Sequence, residues 1–277
     1  MGQFYLNCAG IQFCLTMPDG DFGRLPDWYS DTEPAADSAE DIPRINIEVI
    51  VNPGMKNGGG ADVVLVPDVK ISEGIIKVDH PLYQGFYSIQ GEEGRVMVSG
   101  YFALGAVLRT ILSVIIVDHG GLAVHSSCIT RNGKTYLFSG PSGYGKSTIV
   151  KLTENPLLYS DEVTLVRKDN SGNFHIFHSP FRSEIYSEPL EPSGEINGIF
   201  FIKQDTEVYL EPLSQTQALF KMLPCIFFPV IERNPYEAKI FNLCCDFLRQ
   251  VRPMDLHFRK DGSFWRCIEE ELCNLKE

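Results

Sequence analysis

Tyr136-Leu-Phe-Ser-Gly140-Pro-Ser142-Gly143-Tyr144-Gly145-Lys146-Ser147-Thr148 is the stretch on which the reading of this 277-residue chain turns. Tyr136–Ser139 is apolar and aromatic, as an entering strand requires. The glycines that follow allow a backbone curl, and Lys146–Glu154 has helical composition. Gly140–Thr148 contains G-x-x-x-x-G-K-[ST], the pattern whose backbone N–H groups converge on the phosphates of a nucleotide. In that reading Lys146 neutralises the β- and γ-phosphates, the Ser147 hydroxyl holds Mg²⁺, and Thr148 supports the α-phosphate. Ser142, Gly143, Tyr144 and Gly145 complete the cradle.

Downstream, Asn155-Pro156 stops the helix and Leu157-Leu-Tyr leads to Ser160-Asp161-Glu162. The 13 residues between Ser147 and Asp161 suffice for one short helix and one returning strand. The acids are therefore expected on a strand next to the P-loop strand. There a carboxylate can hold the metal or take a proton, with Asp161 the first choice and Glu162 the second. Val163–Lys168 and Phe174–His178 flank Asp169-Asn-Ser-Gly-Asn, which predicts an antiparallel hairpin where a crossover helix would be usual. The sheet is expected to be mixed.

Upstream, Leu122–Arg131 and Lys134–Ser139 flank Asn132-Gly133, the dipeptide suited to both left-handed positions of a type I′ turn. Paired positions in that hairpin sum to 265, so His125 faces Gly140 at the mouth of the cradle. Arg182, in His178-Ser-Pro-Phe-Arg182, is a further cation that can serve transferred phosphate.

Farther out, Phe102–Val117 predicts a buried helix: it is short for a bilayer span and carries Arg109 near its middle. Residues 1–100 read as a β-rich region, with strands expected at Ile45–Val51, Val63–Val66, Ile75–Val78 and Arg95–Val98. Asp19–Asp41 and Asn52–Gly60 read as surface loops. Residues 101–277 read as the nucleotide-binding domain. Helices are expected after a Ser214–Gln217 capping box, after Asn234-Pro235-Tyr236-Glu237 as far as Gln250, and after Ser263, with a strand from Met254. With 24 Lys+Arg against 36 Asp+Glu, the formal charge of −12 argues against nucleic acid as a partner. The eight cysteines have no C-x-x-C pair, which fits a reducing compartment. The first residues lack a signal-peptide pattern, so the expectation is a cytoplasmic protein with no membrane partner. Self-association stays open.

Taken together, His125-Ser-Ser, Gly140–Thr148 and Ser160-Asp161-Glu162 resemble the catalytic domain of HPr kinase/phosphorylase, over roughly residues 118–270. The resemblance implies an α/β fold with a PEP-carboxykinase-like P-loop core and mixed sheet, ATP and Mg²⁺ dependence, and transfer of phosphate to a hydroxyl. It carries phosphate binding to Gly140–Thr148, the metal or base role to Asp161 and Glu162, and an active-site role to His125. Two departures stand out: the family's paired aspartates are Asp-Glu here, and Glu195-Ile-Asn-Gly198 keeps part of a second signature without its Arg. The leading expectation is a kinase acting on a hydroxyl of a protein, peptide or small molecule. A nucleotide-binding regulatory module is the alternative, and an ATP-dependent PEP carboxykinase is disfavoured by chain length.

Overall fold

The computed structural model describes residues 1–25, 29, 42–55, 66–181, 185, 190–192, 195–232 and 234–274, side chains of 272–274 excepted. The chain is mixed α/β and divides into two compact units. The first is Met1–Asp118 with Phe228–Tyr236, and the second is His119–Phe227 with Glu237–Glu277.

The first unit holds strands β1 (Gly2–Cys8), β2 (Ile11–Met17), β3 (Arg44–Val51), β4 (Asp68–Ser72), β5 (Ile75–His80), β6 (Tyr83–Ser88) and β7 (Glu93–Val98). They form one mixed sheet ordered β1-β2-β3-β7-β6-β5-β4, parallel at β2/β3 and β3/β7. Two of its hairpins close on residue pairs in the left-handed region, Ala9-Gly10 and Glu73-Gly74, the geometry that matches strand twist. Helix α1 (Tyr101–Asp118) packs on β6 and β7. It is long and apolar enough to cross a membrane, yet 72% of it is buried, as in a core helix. The sequence groups α1 with the region after residue 100; its contacts group it with the unit before. Of the expected strand Val63–Val66, residues 63–65 lie outside the described residues, as do most of the two expected loops.

The second unit holds β8 (Gly121–Arg131), β9 (Lys134–Ser139), α2 (Lys146–Lys151), β10 (Leu157–Ser160), β11 (Val163–Lys168), β12 (Phe174–Phe177), β13 (Ile196–Gln204), β14 (Tyr209–Pro212), α3 (Gln215–Met222), α4 (Glu237–Gln250), β15 (Pro253–Phe258) and α5 (Phe264–Asn274). The sheet runs β12-β11-β8-β9-β13-β15-β14, with β10 also on β8. Strands β9, β13 and β15 run parallel, and the glycine-rich stretch Gly140–Gly145 follows the C-terminal end of β9.

Alternation along these strands sorts the two faces. Tyr136, Phe138, Phe200, Ile202, Met254, Leu256 and Phe258 pack with Ile149 and Val150 of α2 and with Phe264, Trp265 and Ile268 of α5. Phe138 is fully buried among aromatic neighbours, and truncating such a residue to Ala costs about 3–5 kcal/mol. On β8, α4 packs through its own buried stripe, and its Phe247 meets Phe174 edge-on.

Three expectations need correction. Helix α2 ends at Lys151 and not near Glu154, because Thr153 turns its hydroxyl back onto the Ile149 carbonyl as the chain leaves the helix. Helix α4 starts at Glu237, since Asn234 Oδ1 accepts the Tyr236 N–H within a preceding turn. The Ser263 hydroxyl donates to Asp261 and so belongs to the turn before α5.

Candidate functional site

The β8/β9 hairpin sets the site's geometry. Asn132 and Gly133 both have positive φ, and the pairs from Arg131↔Lys134 to Ser126↔Ser139 keep the register expected from the sequence. One step farther stand His125 and Gly140. The Ser139 hydroxyl donates to the His125 carbonyl at 3.0 Å, which ties the P-loop strand to that residue.

β8 is long enough to serve different partners on its two edges. On the edge away from β9, Gly121–His125 pairs with β11, while Cys128–Thr130 pairs with β10. Ser160-Asp161-Glu162 is the junction between these two end-to-end strands. The acids therefore do not follow a strand adjacent to the P-loop strand, as the short spacing suggested. β8 occupies that place through its tight hairpin, and β13 takes the other edge of β9. The register shift between Leu158 and Ser160 lets the chain bend across β8, as bulges do.

Local bonds fix the acids. Asp161 is buried, and its Oδ2 accepts the Ile185 N–H at 2.9 Å. The Glu162 N–H donates to Ser160 Oγ, and its carbonyl accepts the Ser126 N–H. Ser126 in turn donates its hydroxyl to Thr164 at 2.8 Å.

The loop itself is held from beneath. Gly145 has φ +111°, and a Cβ there would stand 2.7 Å from Phe258 Cζ, so both conformation and space demand glycine. Gln204, at the end of β13, donates from Nε2 to the Gly143 carbonyl at 3.3 Å. Lys146 donates from Nζ to the carbonyls of Gly140 at 2.8 Å and Pro141 at 3.2 Å. Burial pushes its pKa down, and the neighbouring Cys225 and Glu162 oppose that shift.

His125, Ser142, Gly143, Gly145, Lys146, Ser147, Thr148, Asp161 and Glu162 line one cleft of about 290 Å³. A groove of about 450 Å³, lined by Gly143, Tyr144, Lys203 and Gln204, shares Gly143 with it. The cleft gathers hydroxyl and carboxylate oxygens, an ammonium and an imidazole, a donor set suited to a polyphosphate with a hard divalent cation. Arg182 lies outside the described residues. Glu195-Ile-Asn-Gly198 opens β13 beside Thr135, at the strand end remote from the P-loop, where Asn197 accepts the Thr135 N–H. Gln204 and Phe258 escape a motif search because they reach the loop only through the pairing of β9 with β13 and of β13 with β15, and Ile185 because it meets Asp161 from 24 residues away.

A family model described as SynChlorMet cassette protein ScmC matches residues 100–273, which include every residue of the cleft. A comparison with curated proteins finds no match.

Proposed function

The chain belongs to the SynChlorMet cassette protein ScmC family across residues 100–273, and from that premise we propose an ATP- and Mg²⁺-dependent phosphotransferase of HPr-kinase-like type, built on a PEP-carboxykinase-like P-loop core. The observation that carries this reading is the convergence of three separate sequence segments, around His125, Gly140–Thr148 and Asp161-Glu162, on one cleft.

In this reading the backbone N–H groups of Gly143–Thr148 and the Lys146 ammonium bind the β- and γ-phosphates. The Ser147 hydroxyl and the Asp161 carboxylate would hold Mg²⁺, which would supply charge neutralisation for the polyphosphate. A hydroxyl oxygen of the acceptor attacks the γ-phosphorus in line. The bond to the β,γ-bridging oxygen breaks, ADP leaves, and the hydroxyl proton passes to Asp161 or Glu162. His125 at the cleft mouth, when protonated, offsets charge on the transferred group. In the adjoining groove the exposed ring of Tyr144 offers the base a stacking face, and the Gln204 amide offers a polar edge.

Thermal melting and product analysis test this together. MgATP at a hundredfold its dissociation constant stabilises by about 2.7 kcal/mol, a rise of roughly 5–10 °C for a domain of this size. Lys146→Ala is expected to abolish the rise and the release of ADP. An unchanged melting curve in millimolar nucleotide overturns the reading. Stabilisation without ADP or phosphorylated product supports the second reading, a nucleotide-binding regulatory module. That reading draws on Lys146 being engaged with carbonyls of its own loop.

A further inference from the structure

On the sheet face opposite Met254, Leu256 and Phe258, the alternation of β15 turns Asp255 and His257 into a second polar cluster. The antiparallel register of β14 sets Tyr209 opposite His257 and Glu211 opposite Asp255. The Tyr209 ring stacks on the imidazole with centroids 4.1 Å apart. His257 is only 8% exposed, and its Nδ1 lies 2.8 Å from Asp205 Oδ2. Its Nε2 is buried without a hydrogen-bond partner, and Glu211 Oε2 lies 3.5 Å from it.

That distance is informative. A charged imidazole bonded to a carboxylate stands about 2.7–2.9 Å from it. Two ligands on one tetrahedral ion, each about 2.0–2.2 Å from the metal, stand about 3.3–3.6 Å apart. Asp205 accepting the Nδ1 proton fixes the tautomer with its lone pair on Nε2, which is how carboxylates orient metal-binding histidines. The ligand atoms of Glu211, Asp255 and His257 all lie within 4.8 Å of one another.

Asp255 has other partners. Its Oδ2 accepts from Lys203 Nζ at 2.9 Å. Its Oδ1 is 3.0 Å from Lys221 Nζ, an ion pair whose angle is too poor for a hydrogen bond. Lys221 is partly exposed on α3 and can turn to solvent when Oδ1 takes another cation. With a neutral imidazole, three carboxylates and two ammonium groups leave the cluster one negative charge, which favours cation entry.

We propose that His257, Glu211 and Asp255 form a site for a zinc-like divalent transition metal, with Asp205 as the positioning residue for the imidazole. The nitrogen ligand selects against Mg²⁺ and Ca²⁺. The ion would clamp edge strand β14 to β15, on the face of the sheet opposite the α2/α5 core.

Chelator-treated full-length chain, with Asp161→Asn to remove cation binding at the phosphate cleft, is titrated with Co²⁺ by visible absorption and with Zn²⁺ by calorimetry. One saturable site with a tetrahedral Co²⁺ spectrum lacking thiolate charge transfer is expected, together with a Zn²⁺-dependent rise in melting temperature. His257→Gln should abolish all three, and Asp205→Asn should weaken affinity by about 10–100-fold. Should His257→Gln fail to fold, the exposed Glu211→Gln decides, with an expected loss of at least about 10-fold in affinity. Absence of saturable binding, or affinity unchanged in Glu211→Gln and Asp205→Asn, overturns the proposal and leaves an ion-pair network.

Discussion

Asp161 is where binding and chemistry are expected to part. Its carboxylate is buried and accepts the Ile185 N–H, a bond that the amide oxygen of Asn can also accept. Asp161→Asn should therefore fold and bind nucleotide while losing charge for metal and proton, and phosphoryl transfer should fall by at least about 100-fold. Single-turnover measurement with saturating MgATP reads this directly, and full turnover would pass the role to Glu162. Tyr144 tests a different part of the ligand. The ring is 45% exposed beside the groove that shares Gly143 with the cleft. Base–aromatic stacking contributes about 1–3 kcal/mol, so Tyr144→Ala should weaken ATP by about 5–150-fold and leave inorganic tripolyphosphate unaffected. Equal losses for both ligands would move Tyr144 from the base to the phosphates.

Among elements, two glycines of the same local stretch separate conformation from space. Gly133 has φ +72° with nothing near a future Cβ, whereas Gly145 combines φ +111° with Phe258 at 2.7 Å. Gly133→Ala should cost only the left-handed penalty of about 1–2 kcal/mol. Gly145→Ala should cost more and abolish nucleotide binding, both read from urea midpoints with and without MgATP. The hairpin around Asn132-Gly133 and the loop Gly140–Thr148 were legible in the sequence because each depends on residues close in the chain. The hairpin β11/β12, the capping box of α3 and helix α1 were legible for the same reason. The neighbours of β9 were not. β13 pairs with it across more than fifty residues, and nothing local announces that Gln204 ends beside Gly143. β1 and β2 do alternate, Phe4, Leu6 and Cys8 against Gln3, Tyr5 and Asn7, and Ile11, Phe13, Leu15 and Met17 against Gln12, Cys14 and Thr16, so these two strands were legible locally as well.

For the molecule as a whole, acid is the informative perturbant. Hydrogen bonds from Lys168, His257, His175 and Ser263 hold Asp246, Asp205, Asp169 and Asp261, respectively, below the ordinary carboxylate pKa of 3.8. A depressed folded-state pKa adds stability that is complete above the unfolded value and disappears as pH falls through the folded one. The urea midpoint of the second unit, followed by Trp265 fluorescence in a Trp28→Phe background, should thus hold steady from pH 7 to about 5 and fall below about 4. Asp246→Asn should shallow that fall, and an unchanged slope would show that these bonds do not outlast solvent competition. The division of the chain also bears on how the protein is made. The first unit takes in Phe228–Tyr236, where Tyr236 donates its hydroxyl to Asp118 and its ring meets Phe228. At about 5–20 residues per second, the ribosome needs roughly 5–20 s for the 109 residues from His119 to Phe227. The region synthesised first thus waits for its last piece, the segment whose Tyr236 bonds Asp118 at the end of helix α1.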